Sequence, residues 1–78
     1  MTDKQKINLT ITNDEALVLF EFLARFNNSE HADIFEDQAE QKALWVLEGQ
    51  LEKQLIEPFK PDYNDIIKEA RNKIRDYE

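Results

Sequence analysis

The chain has 78 residues, 35% of them charged, with a net charge of −7, one histidine and no cysteine. That length allows one domain at most, near the lower limit for folding alone; without cysteines there are no disulfides or thiolate zinc sites, and a lone histidine excludes a histidine-rich metal centre. The acidic balance argues against nucleic acid, which needs clustered Lys and Arg, and a hydrophobic content of 41% with sharp periodicity argues against disorder.

A domain this small usually needs a staple, and oligomerisation is the one left. Residues 1–5 of "MTDKQK" are expected to be a flexible N-terminus. No apolar core follows them, so no signal peptide is expected. No apolar run approaches the ~20 residues that span a bilayer. The expectation is a cytoplasmic protein without a membrane partner, and the lack of cysteine fits a reducing compartment.

Residues 6–12, "KINLTIT", alternate strictly. Ile7, Leu9 and Ile11 share one face; Lys6, Asn8, Thr10 and Thr12 share the other. Period two with β-branched residues predicts a half-buried strand. The period then switches. Thr12 and Glu15 have the spacing of a capping box, and Asp14 and Glu15 suit the positive end of a helix dipole.

Helix 1 is predicted over 13–27. On a helical wheel its polar arc holds only Asp14, Glu21 and Arg25, with Val18 among them; the apolar arc, which includes Phe22 and Phe26, covers roughly 220°, about twice an ordinary surface stripe. Such a helix needs cover on more than one side. Asn27 and Asn28 tolerate the left-handed conformation of a C-cap. The connection 28–35 is anchored by Ile34 and Phe35 and has room for a short helical turn.

Helix 2 is predicted over 36–57, with Leu44, Leu47, Leu51 and Leu55 as its apolar stripe and Pro58 as its stop. Glu40 falls within that stripe, either exposed or buried beside Arg25 or Arg71. Trp45 lies about 100° from the stripe, near Gly49 and Ile56. A glycine inside a helix costs about 1 kcal/mol relative to alanine, so close backbone approach is a reason for it. Trp45 is either a core residue facing helix 1 or part of an interface. The turn 58–61, "PFKP", places Phe59 as a plug at the end of the core. Helix 3 is predicted over 62–77, with Asp62 as N-cap and Tyr63, Ile66, Ile67, Ala70, Ile74 and Tyr77 on one arc. The short connection predicts that helices 2 and 3 form an antiparallel hairpin.

Residues 30–57 concentrate eight acids (Glu30, Asp33, Glu36, Asp37, Glu40, Glu48, Glu52 and Glu57) against Lys42 and Lys53, a local net of −6. Such asymmetry solubilises, and it can also steer a basic partner. Glu36, Asp37, Glu40 and His31 are the residue types of a metal or hydrolytic site, but their spacing matches no motif, and acids in a first turn are explained by the helix dipole. One glycine rules out a glycine-rich phosphate loop. No catalytic, cofactor or metal residue is expected.

The segments "DEALVLFEFLARF" and "FEDQAEQKALWVLEGQLEKQLIEPFKPDY" resemble a family of small uncharacterised bacterial proteins of unknown function that share an N-terminal strand, a "DEALVLFE" helix start, an "AE…LW.LE" helix and a "PF.PDY" turn. The resemblance implies a bacterial origin and carries no activity or site residue with it.

The fold expected is mainly α: one N-terminal β-strand and three helices in a single domain over 1–78. An isolated strand leaves its backbone groups unpaired, and antiparallel pairing across a homodimer supplies the partner. The function expected is a non-enzymatic interaction module, regulatory or adaptor in kind. Its interaction residues would be Ile7, Leu9, Ile11, Phe22, Phe26, Trp45, Gly49 and Ile56. The alternatives are an immunity or antitoxin-type protein that neutralises a basic partner, and a metal-binding or hydrolytic protein built on Glu36, Asp37, Glu40 and His31.

Overall fold

The computed structural model describes residues 5–76. Residues 1–4, most of the expected flexible N-terminus, and Tyr77 lie outside that range. Among the described residues the chain forms three helices, α1 (Asn13–Asn27), α2 (Gln38–Gln54) and α3 (Tyr63–Arg75), with 3-10 turns over Ala32–Ile34 and Glu57–Phe59.

α1 begins where the capping box puts it. The Thr12 hydroxyl accepts from the Glu15 N–H at 3.1 Å, and the Glu15 carboxylate accepts from the Thr12 N–H at 2.8 Å. Two N–H groups at the helix start are thereby satisfied. At the other end the expected left-handed cap is not adopted. Asn28 keeps φ −89°, and its N–H bonds back to the Arg25 carbonyl.

α2 is shorter than its sequence pattern at both ends. It starts after Asp37, whose carboxylate accepts the Ala39 N–H at 2.7 Å. It stops at Gln54, four residues before Pro58. In a continuous helix the proline ring would collide with the Gln54 carbonyl. Leu55 turns extended instead (φ −97°, ψ 137°) and is buried. Phe59, expected to plug the core, is exposed, and so is Ile34; Phe35 is half-buried. Asp62 occupies the N-cap of α3 without a side-chain cap bond.

The packing order differs from the expected hairpin. α1 packs against both α2 and α3, while α2 and α3 barely meet. The reason lies in the arcs. α1 has enough apolar circumference for two neighbours, whereas α2 and α3 each have one stripe and turn it to α1. The buried cluster joins Ala16 and Leu17 of α1, Leu55, and Ile67 and Ala70 of α3, with Leu51, Tyr63 and Ile66 against it. No residue of α2 itself is buried.

The strand expected over 6–12 does not form. Among the described residues no hydrogen bond reaches the backbone of residues 5–11. A strand exists only as part of a ladder, and one chain supplies no second strand here. The molecule is correspondingly open. Its radius of gyration is 14.5 Å, against about 11.5 Å for a compact chain of this length. Its accessible surface is 6425 Å², roughly 1,400 Å² more than the ~5,000 Å² usual for a folded monomer of 9.3 kDa.

Candidate functional site

The N-terminal segment leads into α1 through the capping box, and Thr12 is extended (φ −74°, ψ 164°). Its apolar residues are open to solvent: Ile7 is 86% exposed, Leu9 79% and Ile11 45%. The segment borders a depression of about 550 Å³ between α1 and α2. Residues 7–13 form one side, Ala16 and Leu19 belong to α1, and Leu47, Gln50, Leu51, Gln54 and Leu55 complete it. None of these residues is charged, in a chain where about a third are. Three other depressions carry charge: Glu15, Arg25 and Arg71 beside Phe22 and Ile74; Glu30, Glu36 and Asp37 beside His31; and five acids with two lysines at the start of α3.

The residues expected at an interface do not gather in one place. Ile7, Leu9 and Ile11 line the uncharged depression. Phe22 lines the groove between α1 and α3, is 47% exposed, and has the Arg25 guanidinium 5.6 Å over its ring. Phe26 is half-buried in an aromatic cluster, stacked on Phe22 and on His31 and edge-on to Phe35. Trp45 is 47% exposed and Ile56 is exposed, and neither borders the uncharged depression. Gly49 is not explained by a close approach within the chain, because a Cβ built there meets nothing within 4 Å.

The acid-rich stretch has structural work. Asp37 caps α2, and the Glu40 carboxylate accepts the Glu36 N–H at 2.9 Å. Glu40 is exposed and makes this backbone bond rather than one to Arg25 or Arg71. Among the described residues no three His, Asp or Glu side chains converge as a metal site, so Glu36, Asp37, Glu40 and His31 are not brought together as one. His31 lies in the connection before the first 3-10 turn and is half-buried. Its ring lies 4.0 Å from that of Phe26 and within 2° of parallel.

Two polar bridges tie the outer helices to α1. The Tyr63 hydroxyl donates to the Glu21 carboxylate at 2.9 Å. Burial, and then the Glu21 carboxylate, push the Tyr63 phenol up to about 12. The Asn27 amide donates to Glu48 at 2.7 Å, which leaves the buried Asn27 Oδ1 without a partner. A third contact links Asn13 to Glu57 at 3.0 Å. The Glu57 carboxyl is lowered by its own backbone N–H and then by Asn13.

The sequence carried no signal for the uncharged depression, the histidine stack or these bridges. The stack and the bridges join residues between 5 and 44 positions apart, and the depression draws on residues from Ile7 to Leu55, with no periodic spacing to mark them. No helix among the described residues is long and apolar enough to cross a membrane. Comparison with protein-family models, with curated proteins and with solved structures found no match in any of the three.

Proposed function

We propose that this protein is a non-enzymatic interaction module that works as a homodimer in the cytoplasm, a small adaptor or regulatory subunit. The observation that carries the reading is the alternating row Ile7, Leu9 and Ile11, solvent-exposed beside an uncharged depression. Scattered exposed apolar residues are ordinary on a protein surface. A row of three exposed apolar side chains beside an uncharged surface, in so acidic a chain, supports a docking role. The openness of the fold supports the same reading. The surplus accessible surface exceeds the ~800 Å² that each partner commonly gives to a stable interface.

The non-enzymatic part rests on the carboxylates. General acid–base chemistry needs a desolvated group held in a cleft, whereas Asp37 and Glu40 are exposed and accept backbone N–H groups. Sedimentation equilibrium of the full chain tests the reading. A mass of twice 9.3 kDa at micromolar concentration supports it; a monomer across the accessible range, unchanged by salt, refutes it.

A further inference from the structure

We infer that the self-association surface is the N-terminal segment itself, paired antiparallel with the same segment of a second copy about a two-fold axis through Leu9. This rests on the dimer reading and adds its location and register.

The occupant follows from charge. Two copies of a chain of −7 repel each other over most of their surfaces. The uncharged depression and the segment along it are where they meet without that cost. A basic partner would gain nothing from this patch, since its charges would find no carboxylate there.

The register follows from the alternation. In an antiparallel pair, directly opposed residues have side chains on the same face. A two-fold axis between two residues would set each apolar side chain against a polar one. An axis through Asn8 or Thr10 pairs only two of the three apolar residues. An axis through Leu9 sets Leu9 against its own copy and Ile7 against Ile11, so all six apolar side chains share one face. The depression that the segment borders is completed by Leu19, Leu47 and Leu51 together with the uncharged Gln50 and Gln54. Every second residue between Ile7 and Ile11, whose backbone groups bond to nothing else among the described residues, gains ladder partners; the residues between them keep theirs turned outward to water.

Single-cysteine variants of the full chain test this cleanly, because it has no cysteine of its own. Directly opposed residues in an antiparallel pair have Cα atoms about 4.5–5.5 Å apart, within the range a disulfide spans. Under mild oxidation L9C is expected to cross-link to itself. I7C mixed with I11C is expected to cross-link as a heterodimer. I7C alone is expected not to, its two copies lying roughly 13 Å apart along the ladder. Leu9 is exposed, so L9C leaves folding untouched, which a far-ultraviolet CD spectrum verifies. A dimer by sedimentation in which W45C cross-links and L9C does not overturns the inference but keeps the dimer. Self-linking at Asn8→Cys or Thr10→Cys in place of L9C overturns the register. A monomer by sedimentation overturns both.

Discussion

Gly49→Ala separates the two surfaces on which this chain could meet another. Gly49 lies inside α2, near the exposed Trp45, and a methyl group added there meets no atom within 4 Å. The substitution therefore carries no steric cost within the chain. It removes the glycine penalty of a helix interior, a gain of about 1 kcal/mol. For a domain of this size that raises Tm by roughly 4–8 °C. The assay is a CD melt of both proteins at one matched concentration, because self-association makes Tm depend on concentration. Sedimentation of the same samples should show the variant's mass unchanged, since the proposed two-fold contact is placed at residues 7–11. A fall in Tm, or dissociation of the dimer, would place Gly49 in close contact with another backbone and refute the reasoning.

Two further outcomes follow from contacts within the chain. Tyr63 holds its proton more tightly when folded, with a pKa near 12 against an ordinary value of 10, so its contribution is complete below pH 10 and lost as pH rises from 10 through 12. Urea melts across that window should be flatter for Tyr63→Phe than for the parent, with the variant about 1 kcal/mol less stable at pH 7; equal alkaline slopes would show that neither burial nor the bond to Glu21 raises the Tyr63 phenol. Thr12→Ala removes one half of the capping box and should cost about 1 kcal/mol in the same melts. No change on that substitution would mean that Asn13 or Asp14 starts the helix instead.

Local features of the fold were legible in the sequence where the cause is local. The capping box at Thr12 and Glu15 announces the start of α1, because both of its bonds close within four residues. The stripe through Ile67 and Ala70 announces α3, because burial on one face leaves a 3.6-residue period. Arrangement was not legible. A period says which face of a helix is apolar and nothing about which neighbour covers it. The wide arc of α1 was the one clue, since a helix with apolar residues over about 220° has room for two neighbours; part of the cover expected from a second copy comes from α2 and α3.

The candidate surface divides in the same way. The alternation of Ile7, Leu9 and Ile11 can be read directly, yet a strand needs a ladder, so the segment stays unpaired in one chain. The lack of charge around the adjoining depression depends on α1 and α2 coming together, and no linear pattern encodes that. Trp45 and Gly49 draw notice as rare residue types, but the open space at Gly49 removes the intrachain contact that would have tied them to the core.

The measurement that bears most directly on self-pairing of residues 7–11 is hydrogen exchange of their backbone amides, followed residue by residue by NMR at high and low protein concentration. In one chain these amides have no hydrogen-bond acceptor among the described residues and exchange as freely as in a peptide. Pairing about Leu9 predicts protection at alternate positions between Ile7 and Ile11, lost on dilution together with the dimer mass. Amides that exchange freely at concentrations where the protein is dimeric would contradict it.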